Sequence, residues 1–214
     1  YVYDETGIQQ SARYDKMHRV PFGEYLPWVE NSDWLKQLFL TYLSPYAFDY
    51  SLTPGKEPVV FTLQLARDGD QIPLRVVTPI CFEDSVPRLV RSMIHDTATG
   101  RKRADIIMNL TNDGWFADTD QPLQHLQIAS LRSVELRVPT ARAVNWGISG
   151  FVDSMGRIGP VVQPEGQANL AVASVKLDGR STFYGSMGPV ASVVVGVVTL
   201  LLGVWGVARR SFRR

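Results

Sequence analysis

The longest apolar run in the chain lies at its C-terminus. From Gly188 to Ala208 the sequence GPVASVVVGVVTLLLGVWGVA holds 21 residues without a charge. As a helix rising about 1.5 Å per residue it spans roughly 31 Å, close to the hydrocarbon thickness of a bilayer. Its Val and Gly content suits a helix in water poorly and a membrane helix well. Trp205 sits near one end, and Arg209, Arg210, Arg213 and Arg214 follow. The pattern predicts one membrane-spanning helix over 188–208 and a basic cytoplasmic tail over 209–214, with the rest of the chain on the exoplasmic side. A buried core helix or strand pair closing a soluble domain is the competing reading; the length of the run and the arginine cluster weigh against it.

Elsewhere the alternation is shorter. Residues 8–20 read as a strand leading into a loop. Residues 26–50 are rich in aromatics and poor in charge, and 34–43 fit a short amphipathic helix. Thr53-Pro54-Gly55 marks a turn. Residues 59–66 and 74–80 are β-rich runs around the polar turn 67–71, as in a hairpin. Ser85 can cap a helix over about 86–96, with Pro87 in its first turn. A short buried strand follows at 105–110. The Asp118-Thr119-Asp120 cluster can cap a helix over 121–136, with Leu123, Leu126, Leu131 and Val134 as its apolar stripe. Residues 140–145, 150–153 and 170–175 read as later strands, with Met155-Gly156-Arg157 turning the chain between the last two. Strands mixed with helices indicate an α/β or α+β domain.

The formal net charge of +1, from 22 Lys+Arg against 21 Asp+Glu, argues against a nucleic-acid binder dominated by phosphate contacts. It is also uneven. The last six residues hold four Arg and no acid, so the other 208 carry 18 basic and 21 acidic side chains. The single Cys81 excludes an internal disulfide framework. Tyr1-Val2-Tyr3 opens without Met and without a signal peptide, so the chain is expected to be the C-terminal piece of a longer protein or to carry a processed N-terminus.

No G-x-S-x-G elbow, P-loop, G-x-G-x-x-G turn, H-E-x-x-H or C-x-x-C string occurs. With one Cys and three His, no soft-metal site is expected. Asn109-Leu110-Thr111 matches a glycosylation sequon, but it falls at a strand end and reads as accidental. Cys81 is more informative, because it closes a strand just before a helix. A nucleophile on such a turn is exposed at the sheet edge, with the following backbone N–H groups aimed at an anion forming there. A free thiol titrates near pH ~8.5 and needs a neighbouring cation or base to react at neutral pH. On position alone a buried structural cysteine is an equal reading. The dense stretch 14–25, YDKMHRVPFGEY, reads locally as a solvated basic loop.

Taken together, three strings resemble a known family: YDKMHRVPFGEYLPW, ICFED and NLTNDGWFADTDQPLQHLQIASLRSVELRVPTARAVNWGISGFVDSMGRI. They are similar to the apolipoprotein N-acyltransferases, the membrane-embedded bacterial branch of the nitrilase (carbon–nitrogen hydrolase) superfamily. The resemblance covers roughly residues 1–175 and extends to the final apolar helix. K-x-H-x-V-P-F-G-E-Y and N-L-T-N-D-x-W-F are specific to that branch.

The resemblance implies a partial nitrilase-type α-β-β-α sandwich over 1–178, exoplasmic, followed by the C-terminal transmembrane helix. It implies Cys81 as nucleophile and Lys16 as the lysine that stabilises thiolate and oxyanion. Glu24 would orient Lys16, Glu83 would line the site, and the Phe82 N–H would help hold the oxyanion. The general-base Glu of the family lies upstream of these motifs; Glu5 has no matching context, and the fragment alone is expected to be inactive. The implied reaction passes an acyl chain from a phospholipid through a Cys81 thioester to the N-terminal diacylglyceryl-cysteine of a lipoprotein. It takes place at the outer face of a bacterial plasma membrane, with no metal, nucleotide or other cofactor. Trp28, Trp34 and Phe39 fit a lid that touches the bilayer, or equally core packing. Trp115 and Phe116 would line the acyl pocket or simply pack. His125 is expected to bond helix to loop. A membrane-anchored nitrilase-type amidase and a non-catalytic membrane-anchored binding module are the alternatives.

Overall fold

The computed structural model describes residues 1–4, 6–29, 31–42, 51–67, 69–116, 118–163 and 169–211, without the side chains at 67, 207, 208 and 211. Six strands form one sheet in sequence order: β1 Phe61–Arg67, β2 Asp70–Val77, β3 Ile106–Thr111, β4 Thr140–Val144, β5 Ser149–Val152 and β6 Ile158–Val162. β1 and β2 form the expected hairpin, β2–β3–β4 run parallel, and β5 and β6 return antiparallel. The parallel steps need crossovers, and the helices α2 Pro87–Ile94 and α3 Gln121–Leu136 supply them. The architecture is mixed α/β.

The core lies where α2 and α3 meet the central strands. Val76, Val77, Ile106 and Ile107 pack with Val90, Met93, Ile94, Leu136 and Val138. α2 starts as its sequence suggests, with Pro87 where a missing N–H costs nothing. Ser85 is not its cap. It ends a 3-10 turn, Cys81–Ser85, and its hydroxyl donates to the Phe82 carbonyl, leaving Val86 at the cap position. The helix stops at Ile94, because His95 turns extended and bridges Lys102.

α3 begins and ends where the sequence predicts, but its buried stripe differs. His125, Leu126, Ala129, Arg132, Ser133 and Leu136 face inward, whereas Leu123, Leu131 and Val134 are exposed. Polar partners inside the domain rotate the helix toward His125. Residues 8–20 form no strand; Tyr3 and Gln9 make only an isolated bridge. Residues 170–175 keep a period-2 burial pattern but pair with nothing in a ladder among the described residues. The last strand is β6 instead. A tight turn at 153–157, closed by the Asp153 N–H on the Arg157 carbonyl, sends Ile158 straight back along β5.

α1, Asp33–Tyr42, buries none of its residues. α4, Phe183–Met187, is capped by Thr182 and fastened to α2 by Arg91, which donates to the carbonyls of Tyr184, Gly185 and Ser186 at 3.0, 2.9 and 2.9 Å. α5, Val190–Ser211, follows at once. Its described valines and leucines stand exposed, and Arg209 stacks over the Trp205 ring at 4.2 Å. Among the described residues, no helix is long and apolar enough to cross a membrane.

Candidate active site

Cys81 opens the 3-10 turn after β2, partly buried, with φ +53°. A left-handed conformation is uncommon for a non-glycine residue and costs energy that the surroundings must supply. Two buried knots supply it.

The first knot is Glu83, fully buried. One carboxylate oxygen accepts the Met17 and His18 N–H groups at 2.6 and 2.8 Å. The other accepts the Tyr14 hydroxyl and the Ile80 N–H, both at 2.8 Å. The residue just after Lys16 is thereby tied to the residue just before Cys81. Burial pushes the Tyr14 phenol above its usual range, and the neighbouring Glu83 charge adds to this. Lys16 bonds Glu24 at 2.5 Å, and the second Glu24 oxygen accepts the Val20 N–H at 2.8 Å. Lys16 is the more enclosed partner of this pair. His18 stacks on Phe82 with ring centres 5.9 Å apart. Behind the pair, the Gly55 N–H donates to the Lys16 carbonyl at 2.7 Å. A side chain there would begin 2.1 Å from the Asp15 carbonyl, so the close approach requires glycine. Glu83 thus ties the loop that carries the sequence-predicted Lys16 and Glu24 to the turn that carries Cys81, and the basic loop is a held structure.

The second knot lies beneath the turn. Alternation on β3 sends Asn109 and Thr111 inward. Arg142 of β4, in register with Asn109, donates to Asp84 at 2.7 Å, to Asn109 at 3.0 Å and to Asp113 at 3.0 Å. His125 bridges the same two acids, 2.8 Å from Asp84 and 2.9 Å from Asp113. Thr111 donates to Asp113 at 2.9 Å. Two carboxylates thus face two cationic groups inside the domain. Burial alone would lower the His125 pKa, but the hydrogen bonds that its ring donates to Asp113 and Asp84 win and raise it to about 9. Burial alone would raise Asp113, yet His125 and Arg142 hold it below the usual carboxylate range. Helix-to-loop bonding is the role expected of His125. No local pattern marks Asp84, Asp113 or Arg142, and Asn109 stands out only in the sequon; the register of β3 against β4 sets Asn109 beside Arg142, and the turns after β2 and β3 bring in Asp84 and Asp113. The inward alternation of β3 was the one available signal.

Exposure separates the aromatic residues. Trp28 is 81% exposed, Trp34 70% and Trp115 79%, while Phe116 and Phe82 are also exposed and Phe39 is half-buried. Trp28, Trp34 and Trp115 therefore do not pack in the core formed by the described residues. Tyr46, Phe48 and Tyr50 lie outside the described residues. Among the described residues no cluster of His, Cys, Asp and Glu is arranged to hold a metal.

The sequence model of the carbon-nitrogen hydrolase family matches residues 1–183. The chain belongs to the carbon–nitrogen hydrolase family. Curated relatives of this hydrolase domain include the apolipoprotein N-acyltransferase of Allorhizobium ampelinum, 37% identical over 74% of this chain and 26% of that protein. That of Chlorobaculum tepidum is 34% identical over 92% of this chain and 34% of its own length. That of Geobacter metallireducens is 31% identical over 95% and 34%. The chain thus spans about a quarter to a third of the curated relatives it matches. Among solved structures, an amidase from Nesterenkonia sp. AN1 overlaps 53% of this chain and 42% of its own at 20% identity, with a TM-score of 0.37.

Proposed function

We propose that the intact protein is an apolipoprotein N-acyltransferase and that this chain carries its nucleophile. The observation that carries the reading is the Glu83 knot. It ties the loop of Lys16 to the turn of Cys81, within a hydrolase domain whose curated relatives bear that name. In the first half-reaction the Cys81 thiolate attacks the ester carbonyl carbon of a phospholipid. The carbonyl electron pair moves to oxygen, where the Lys16 ammonium and the Phe82 N–H stabilise it. The ester C–O bond then breaks, the lysophospholipid leaves as its alcohol with the proton that the general base had taken from the Cys81 thiol, and a thioester remains. In the second half, the α-amino group of a diacylglyceryl-cysteine attacks the thioester. The C–S bond breaks, the amine loses its proton and the thiolate returns. The proton acceptor is expected from the part of the relatives' length that this chain does not span.

In this reading, residues 1–178 form the exoplasmic hydrolase portion. The described part of α5 is by itself not long and apolar enough to cross a membrane, so the anchor in the bacterial plasma membrane is read from the uncharged run 188–208 of the sequence, with the arginine tail in the cytoplasm. The exposed valines and leucines of α5, its cationic end and its fastening through α4 support the anchor. Trp28 and Trp34 contact the lipid surface near the site, and Trp115 and Phe116 face the acyl chain.

The test is acylation of the intact protein by a phospholipid labelled in its acyl chain. A hydroxylamine-labile label on Cys81, abolished by Cys81→Ala, is the expected result. An unlabelled enzyme that instead releases ammonia from small amides would make it an amidase.

A further inference from the structure

Asn109 is fully buried, and its neighbours fix which way its amide faces. Arg142 can only donate, so the atom it meets at 3.0 Å is the Asn109 carbonyl oxygen. The Asn109 amide nitrogen then faces two groups that can only accept, the carbonyls of Pro79 at 3.1 Å and Cys81 at 3.3 Å. Flipping the amide would set donor against donor and acceptor against acceptors. Asp84 holds the same Arg142 from within the turn, at 2.7 Å, so the Asn109 amide is braced from behind.

The consequence lies in the Cys81–Phe82 peptide. This peptide is trans, so the Cys81 carbonyl and the Phe82 N–H point in opposite directions. A carbonyl drawn inward by buried Asn109 therefore turns the Phe82 N–H away from Asn109 and the interior. We propose that Asn109 is a positioning residue. By holding the Cys81 carbonyl it presets the Phe82 N–H as a donor to the oxyanion formed when a carbonyl carbon bonds to the Cys81 sulfur. Asn109 itself neither gains nor loses a proton in that step. The proposal rests on the acyl-transfer reading of Cys81 but not on a lipid donor.

Two reactions of Cys81 separate this role from a merely structural one. p-Nitrophenyl acetate transfers its acetyl group through a tetrahedral oxyanion and releases p-nitrophenolate. Iodoacetamide alkylates the sulfur by displacing iodide at a saturated carbon and forms no oxyanion. In the intact protein, Asn109→Asp and the milder Asn109→Ser are expected to slow acetylation about 10²–10³-fold. The loss falls in the rate constant rather than in half-saturation, while alkylation stays near the wild-type rate. Should Asn109→Asp lose its thermal transition, Asn109→Ser carries the comparison. Variants that slow both reactions equally, or neither, overturn the proposal, as does a wild-type protein that the ester never acetylates. A wild type acetylated by the ester but never acylated by phospholipid overturns the lipid function alone.

Discussion

At the scale of single residues, the two glutamates near Cys81 have different tasks. Glu24 shares its carboxylate between Lys16 and a backbone N–H, whereas Glu83 spends all of its hydrogen-bonding capacity on the chain itself. Three of the four Glu83 donors are backbone N–H groups that cannot rotate away, and they occupy both carboxylate oxygens. Glu83→Gln therefore places an amide NH2 against at least one backbone donor whichever way it turns. We expect a loss of about 3 kcal/mol of stability, since the broken hydrogen bonds are buried and charge-assisted. Lys16→Met leaves this knot intact and should shift the urea midpoint much less. Equal midpoints for Glu83→Gln and wild type would show that the knot holds nothing. The resemblance brought Lys16, Glu24, Glu83 and Cys81 forward as residues. That Glu83 clamps the loop rather than lining a pocket depends on contacts across more than sixty positions of chain, which no local pattern contains.

At the scale of elements, α3 and β3 were legible because each announces itself locally. Asp118-Thr119-Asp120 precedes the helix, and β3 opens on the apolar run Ile106-Ile107-Met108. β6 was not, for a reason visible in its composition. Gly159-Pro160 reads as a break, yet β6 pairs only with β5, and an edge strand tolerates a proline that a central strand would not. Conversely, 170–175 has the right alternation but no ladder partner among the described residues, and alternation without a ladder is not a strand. α1 was legible as a helix, though not as one that buries nothing. Trp34, Leu35, Leu38 and Tyr42 are all exposed on its ten residues. Each large apolar side chain moved from water into an apolar layer gains on the order of 1–3 kcal/mol, so such a helix has a strong reason to meet lipid. In the intact protein reconstituted with bromine-labelled lipids, a variant keeping Trp34 as its sole tryptophan should be strongly quenched. Adding Leu35→Asp and Leu38→Asp should restore most of its emission. A Trp34 that is never quenched would place α1 in water.

At the scale of the whole molecule, the buried charges join what the sequence keeps apart. Asp84 comes from the turn after β2, Asp113 from the loop after β3, His125 from α3 and Arg142 from β4. Two cationic and two anionic groups nearly cancel, so the balance depends on His125 keeping its proton. Its pKa is raised from 6.5 to about 9 because Asp113 and Asp84 outweigh burial and the opposing Arg142 charge. A group that binds its proton more tightly when folded stabilises the fold fully below its unfolded pKa, near pH 6.5, and loses that contribution as pH rises through about 9. The shift corresponds to about 3 kcal/mol. Asp113 acts with the opposite sign: its lowered pKa stabilises the fold above about pH 3.8, and that contribution is lost as pH falls further. Stability should therefore hold between about pH 4 and 6.5 and decline toward 9. His125→Gln, which cannot carry the charge, should be less stable at pH 6 and lack the alkaline decline. Urea midpoints of both proteins at pH 6 and 9.5 decide it, because parallel curves would mean that some group other than the imidazolium sets the alkaline limit.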